Sequence, residues 1–470
     1  MPPLPESLPE NRFALGDRVT VRLDAMAAGG DAVGRHEGLA VFVEYGAPGD
    51  LVEANITHVA PNYARAVIVR IIERGRDRVD APCPYLPACG GCQWQHLDYA
   101  AQVAAKDQML RDAFRRVGGV EPERLDPPIA MPHPLDPAEQ TPWRYRAVAE
   151  YSVATGTEEG KPPALGFLHA HSNKVVEIAD CLVQHPLNVE VLRGANEWLE
   201  QRGAGALWLV RARTSFAERR SLVTLVLRAA DDTATDLAQH LMLAVPTIAG
   251  VSSVVARDRL QQHRRLSQHL MGEEFIVEQV GGRRYRIGAD TFFQVNAPQA
   301  ARLVELVVEM AQVRPGDTVV DGYSGAGLLL LPLGESAAHV IGIESNPAAV
   351  RDARANARHA DLRNVTVVRE KVEKALAHAP RGQGPRGGLN ARRAEVVILD
   401  PPRIGCGRQV MNEVAALGPR AVVMVSCDPA TLARDAAFLA GHGYGVRRSI
   451  MVDMFPHTWR VESVTLFERS

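Results

Sequence analysis

Apolar and polar positions alternate through residues 12–74, with turn residues recurring between short apolar runs,. The stretch DRVTVRLDAMAAGGDAVGRHEGLAVFVEYGAPGDLVEANITHVAPNYARAVIVRII is punctuated by Gly29-Gly30, Gly34, Gly38 and Pro48-Gly49-Asp50, and it predicts about five strands,. Five short strands with such turns suit a small closed barrel of the oligonucleotide-binding kind, although that fold alone confers no binding. A helical stretch is expected over residues 98–117. Residues 143–287 are strand-rich, with helices near 187–202 and 232–244, which predicts an α+β domain around a mixed or antiparallel sheet,. From residue 298 the rhythm becomes strand then helix, with strands at TVVDGY, HVIGIES, VTVVRE, EVVILDPP, AVVMVSC and SVTLFER. That alternation predicts a doubly wound, Rossmann-like α/β sheet, interrupted by a Gly/Arg-rich surface loop at 379–393,. The expected domains are therefore 12–74, 80–287 and 288–470.

One stretch of this last region raises a chemical question. In AVVMVSCDPATLARD, an apolar run from Ala421 to Val425 predicts a buried strand, and a helix should begin near Ala430 with Asp428 as its cap and Pro429 in its first turn,. Cys427 then stands at the mouth of the strand. A cysteine there is either a small packed hydrophobe or a nucleophile at the carboxyl edge of the sheet, where α/β folds keep their ligands.

Composition narrows the class. The formal net charge is −2 over 470 residues, so any nucleic-acid surface must be a local patch,. The Pro-rich start MPPLPESLPENRF has no signal-peptide character and the longest apolar runs fall far short of a membrane span, so a soluble, cytoplasmic protein is expected, with no membrane and no obligate protein partner evident,. Six cysteines without a secretory signal argue against a disulfide framework,. Three of them crowd into CPYLPACGGC.

Two acids mark a cofactor site. Asp321 opens the glycine turn DGYSGAG after the first strand, and Glu344 ends the second, where an acid can hold two ribose hydroxyls,. Acids at both places disfavour a pyrophosphate and suit S-adenosylmethionine. Asp400 follows at the end of the fourth strand in LDPPRIG, where Arg403 occupies the place of the aromatic residue that adenine amino-methyltransferases carry.

With DGYSGAG, LDPPRIG, VSCDPATLARD and FPHTWRVESVTLF in one order, the chain resembles the RNA uracil-C5-methyltransferases, in the branch with an N-terminal TRAM domain and an iron–sulfur cluster. The likeness covers nearly the whole chain. It implies Cys427 as nucleophile, Glu462 as general base, and Gln294, Tyr323, Glu344 and Asp400 as S-adenosylmethionine contacts. It also implies structured RNA as substrate, 23S ribosomal RNA first and transfer RNA as the alternative. Leu328 and Lys371 stand where the family often has Asn or Asp, Arg460 replaces a frequent His, and Asp428 a frequent Asn.

The chemistry explains the pair. Carbon 5 of uracil is a poor nucleophile until a thiolate adds to C6, and a base must then take the C5 proton so that the thiol can leave. The helix start after Cys427 and nearby cations are expected to lower its pKa. Cytosine-C5 methylation, which uses a second cysteine directly after the fourth-strand proline, is the competing reaction; Cys406 lies four residues past Pro402 and reads as a packing residue, as does Thr431. A non-catalytic iron–sulfur RNA-binding factor is the competing class.

Cys83, Cys89 and Cys92 (C-x5-C-x2-C), with the distant Cys181, supply four thiolates, which suit tetrahedral zinc or a cubane; the resemblance favours [4Fe–4S],. Trp94 and His96 beside them read as packing. Candidate RNA contacts are Arg144, Arg146, Arg211, Arg213, Arg264 and Arg265,.

Overall fold

The computed structural model describes residues 13–154, 161–258, 265–377 and 394–469. The chain divides into two compact units, one reaching to Met109 and including Phe455–Arg460, the other formed by Leu110–Met454 and Val461–Ser470. The loop expected at 379–393 and Arg264 lie outside the described residues.

The first unit holds the five expected strands, Arg18–Met26, Ala32–His36, Leu39–Glu44, Leu51–Ala60 and Tyr63–Glu73, closed into a barrel. Alternation drives the closure: Val19, Val21 and Leu23 point inward while Arg18, Thr20 and Arg22 stay in water,. The last strand lies between the third, to which it is parallel, and the fourth. Trp94 and Leu97 join the barrel core. Buried Asp50 accepts from the amides of Ala47 and Gly75 at 2.8 Å each and pairs with Arg78 at 2.6 Å. With those donors its carboxyl stays below the usual carboxylate range despite burial,.

The second unit contains two seven-stranded sheets and a hairpin. The first sheet runs, edge to edge, Gln268–Gly272, Ile248–Val255, Arg220–Leu227, Leu207–Ser215, Val148–Ala154, Ala164–Leu168 and Val175–Glu177. It is antiparallel except between Arg220–Leu227 and Ile248–Val255, and helices Pro186–Arg202 and Thr233–Ala244 accompany it where expected. The hairpin Phe275–Val280/Arg283–Gly288 leads to the C-terminal sheet.

That sheet has strands Thr318–Gly322, His339–Glu344, Val365–Arg369, Ala394–Leu399, Ala421–Ser426, Tyr444–Val452 and Glu462–Arg469, in the spatial order third, second, first, fourth, fifth, seventh, sixth. The first five are parallel and their carboxyl ends share one edge,. The sixth strand is missing from the sequence reading: a bulge between Val446 and Arg448 breaks its alternation, with Arg447-Arg448 in the middle,. The seventh is antiparallel to both neighbours rather than part of the doubly wound progression.

Candidate active site

Strand topology assembles the reactive edge. The fifth strand ends at Ser426, which pairs with Ser463 of the antiparallel seventh. The seventh strand therefore starts where the fifth stops, and Glu462 comes to the same edge as Cys427. Helix Pro429–Ala440 begins as expected: Asp428 caps it, its carboxylate accepting from the Thr431 amide at 2.9 Å,.

The electrostatics of this pair differ from the sequence expectation. The Cys427 thiol is pushed up to about 12, first by burial and next by the Glu462 carboxylate; Arg403 and the Cys427 amide pull the other way without prevailing,. The helix start therefore does not yield a thiolate in the free protein. Glu462 is 4% exposed, and burial together with Asp400 holds its carboxyl well above the carboxylate range, while Arg403 again opposes. Asp400 is raised by burial to about 7. Arg403, which follows the two prolines, thus acts on both Cys427 and Glu462.

The cofactor end is built differently. The turn after the first strand places Tyr323, Gly325 and Gly327 at φ +65°, +55° and +89°. Such backbone lets a ligand approach closely. Glu344 accepts from the Gly325 amide at 3.0 Å and from the Asn346 amide at 2.7 Å, and Asn346 caps helix Pro347–His359. Asp321 is buried with neither carboxylate oxygen hydrogen-bonded, and the Ser324 hydroxyl is likewise unpartnered. Burial, Asp400 and Glu344 push the Asp321 carboxyl far up. A ligand bringing donors and positive charge would relieve both conditions, so these residues fit S-adenosylmethionine with its ammonium, sulfonium and ribose.

Gln294 reaches the same place from the loop before helix Ala297–Ala311, its amide donating to Asp400 at 3.5 Å. Tyr323 faces Cys406, Glu373 and Asp435. Cys406 is buried and its amide donates to Asp435 at 3.2 Å, which agrees with packing. Lys371 is exposed, and Leu328 offers its carbonyl to the Tyr285 hydroxyl at 3.0 Å.

Two sets of predicted residues remain. Among the described residues, no group of three or more His, Cys, Asp or Glu side chains is gathered to hold a metal, those of Cys83, Cys89 and Cys92 in the first unit included. Within the first unit the cysteine loop is held by its backbone: the amides of Leu86 and Cys89 donate to Cys83 and Tyr85, and those of Gln93 and Trp94 to His457. Of the proposed RNA arginines, Arg211 is buried against Glu150 at 2.8 Å, and Arg213 donates to the Thr291 carbonyl at 2.9 Å. Arg144 grips Asp180 through two contacts of 2.8 Å, and Arg146 and Arg265 donate to main-chain carbonyls. Alternation along a strand could not distinguish the covered face from the open one.

Sequence reasoning gave Arg403 and Asn346 no role, although Asp-Pro-Pro-Arg at a strand end and Asn before a helical Pro were visible signals,. Two large apolar side chains lie bare near the edge, Phe292 (63% exposed) and Ile404 (77%). Among the described residues, no helix is long and apolar enough to cross a membrane.

Comparison with known proteins adds independent findings. The family model for tRNA (uracil-5-)-methyltransferases matches residues 207–470, and that for TRAM domains matches residues 12–69. An uncharacterised RNA methyltransferase of Caldanaerobacter subterraneus subsp. tengcongensis is 33% identical, the match covering 98% of this chain and 100% of that protein. One from Halalkalibacterium halodurans is 32% identical over 96% of this chain and 97% of that protein. The crystal structure of the Pyrococcus abyssi tRNA (uracil-54, C5)-methyltransferase with S-adenosyl-L-homocysteine superposes with a TM-score of 0.70 at 23% identity, covering 95% of this chain and 99% of that one, and shares its fold.

Proposed function

From the premise that this chain belongs to the tRNA (uracil-5-)-methyltransferase family and is an RNA uracil-5-methyltransferase, we propose that Cys427 and Glu462 carry its reaction on a uridine in structured RNA. The observation that carries this reading is the antiparallel seventh strand, which brings a buried carboxyl to the edge where the fifth strand delivers a thiol.

S-adenosylmethionine, when bound, supplies an electrophilic methyl group on a cationic sulfur. Cys427 sheds its proton to solvent as Sγ bonds to C6 of uracil, and C5 gains the electron density needed to accept the methyl. Glu462, as a carboxylate, then takes the C5 proton; the C6–Sγ bond breaks, the C5–C6 double bond re-forms and the thiolate leaves. Burial holds both groups toward their protonated forms, and Arg403 is the charge that favours their reactive forms,. Gln294, Tyr323, Glu344 and Asp400 are proposed to hold the cofactor.

The target base must leave its stack, at a cost of a few kcal/mol, and a loop already exposing the base reduces that. Bare Phe292 offers an aromatic face for a base,. We assign 23S ribosomal RNA as substrate, with the residues around 12–74 and 80–287 serving to engage it, and transfer RNA as the alternative. The [4Fe–4S] cluster rests on cysteine spacing and resemblance only, and no step runs through it. Iron and sulfide determination on anaerobically purified protein decides it: equal amounts of both support the cluster, and zinc alone replaces it.

The reaction is tested by trapping on 5-fluorouridine RNA. Fluorine at C5 cannot leave as a proton, so the methylated adduct stays bound to the enzyme. A cofactor-dependent RNA-linked band that Cys427→Ala loses is the expected result, and sequencing the trapped RNA identifies ribosomal or transfer RNA. No band with any cellular RNA, from protein that binds cofactor, overturns the covalent mechanism.

A further inference from the structure

The loop that delivers Gln294 has few backbone bonds of its own, the Thr291 amide donating to the Gly288 carbonyl at 3.3 Å and the Val295 carbonyl accepting from the Ala147 amide at 2.7 Å. Residues 289–296 join the hairpin strand Arg283–Gly288 to helix Ala297–Ala311 without regular structure. They lean on the cofactor turn: a Cβ on Gly325 would lie 3.8 Å from the Phe292 carbonyl oxygen. Beside Arg213, which donates to the Thr291 carbonyl, and Ser267, which donates to the Asp290 carboxylate, the loop is held by one face of helix Pro347–His359, the helix that starts just past Glu344.

Asp352 of that helix is fully buried. One of its oxygens accepts from the Gly288 amide at 2.8 Å and the Thr291 hydroxyl at 2.5 Å; the other accepts from the Arg286 guanidinium at 3.1 Å. The absence of a Cβ at Gly288 makes room, since one would stand 3.1 Å from the Asp352 carboxylate. Asn356, one helical turn on and also buried, accepts from the Arg286 amide at 2.7 Å and donates to the carbonyls of Arg286 at 3.1 Å and Ala326 at 2.9 Å. Ala326 belongs to the glycine turn itself. Asn346 at the helix start donates to the Asp290 carbonyl at 3.1 Å. Helix packing alone calls for apolar residues on this face, and Ala349, Ala353 and Ala357 supply them. An ionisable Asp352 and an amide at i+4 among those alanines are costly to bury, and their hydrogen bonds to these chain segments offset that cost,.

We propose that Asp352 and Asn356 form a bracket that sets the Thr291–Gln294 loop against the glycine turn, and that Asp352 is a positioning residue for methyl transfer acting through Gln294. The bracket couples the helix that follows Glu344 to the loop that carries Gln294. It rests on the reading of Gln294 as a cofactor contact.

The test is a double-mutant cycle with Thr291→Val, Asp352→Asn and Gln294→Ala, reading kcat/KM for S-adenosylmethionine, cofactor Kd by calorimetry and thermal unfolding. Thr291→Val removes one hydrogen bond to a buried carboxylate, and a loss of roughly tenfold in kcat/KM is expected. Melting should stay near wild type, and Thr291→Ser should restore the rate because it keeps the hydroxyl. In the Gln294→Ala background Thr291→Val should add nothing, because the group it positions is gone. If Asp352→Asn does not fold, the Thr291 pair carries the test alone. Wild-type kcat/KM in Thr291→Val, or a second full loss in the Gln294→Ala background, overturns the bracket. Wild-type affinity and rate in Gln294→Ala alone would instead overturn the cofactor reading of Gln294, which is a separate failure.

Discussion

Two carboxylates end up on one sheet edge under opposite conditions. Glu344 receives two backbone N–H donors, from Gly325 and Asn346, at the place proposed to hold the cofactor's hydroxyls. Glu462 is buried beside Asp400 and is held toward its protonated form, as is the thiol it faces. The difference separates binding from reaction. A binding acid is stabilised in advance by donors; a reacting acid and nucleophile are left with raised pKa values that chemistry must draw on. The predictions follow this division, from the reacting pair outward.

The largest effect is expected at the reacting pair. Cys427→Ala should lower methyl transfer by several orders of magnitude and abolish the RNA adduct while leaving cofactor Kd unchanged. Glu462→Gln should slow turnover by a factor on the order of 10²–10⁴, and it should accumulate a methylated covalent adduct on ordinary RNA, because only the last proton step is blocked. Denaturing gels with radiolabelled methyl donor separate the two outcomes. An unmethylated or absent adduct in Glu462→Gln would place that carboxyl elsewhere in the reaction.

The pH profile is the next test. Both raised groups must lose protons to react, so kcat/KM should rise as pH climbs from neutral toward the alkaline side. Arg403 favours both deprotonated forms, so Arg403→Gln should displace the rise to higher pH and lower the rate at neutral pH, by roughly tenfold for each unit of displacement,. Glu344→Gln, by contrast, should weaken cofactor binding by roughly tenfold and leave kcat at saturation and the pH profile in place. A Glu344 variant that moved the profile would erase the distinction between the two acids.

Much of this edge was legible in the sequence because its signals are local. Asp428 before Pro429 marked a helix start, and alternation from Val19 onward marked a barrel strand. What escaped depends on distance. The sixth strand hid behind a bulge at Arg447-Arg448, residues that serve ion pairs with Glu123, Asp126 and Glu309. The raised thiol of Cys427 follows first from burial and then from a carboxyl 35 positions further along the chain, and nothing in VSCDP announces either. Arg211 and Arg213 look like nucleic-acid contacts in the sequence, yet Arg211 pairs with Glu150 and Arg213 serves the Thr291 carbonyl. The cysteine spacing was equally plain in the sequence, yet among the described residues no metal-holding group of three side chains is found.

The smallest expected effect concerns the helix start beside Cys427, where two influences on the thiol compete. A helix N-terminus and its first amides favour an anion, while burial and Glu462 disfavour one, and the second pair wins,. Asp428→Ala removes the cap that accepts from Thr431 and should cost about 1 kcal/mol of stability,. Asp428→Asn caps equally well and should unfold in urea near the wild-type midpoint. Neither should alter the rate of 5-fluorouridine trapping by more than about twofold, because the cap acts on the helix and the helix is the weaker influence on Sγ. If Asp428→Asn moved the pH dependence of trapping further than Arg403→Gln does, the helix terminus rather than Glu462 and burial would set the nucleophile. The reacting edge would then be governed by prearranged backbone donors, as the Glu344 end is.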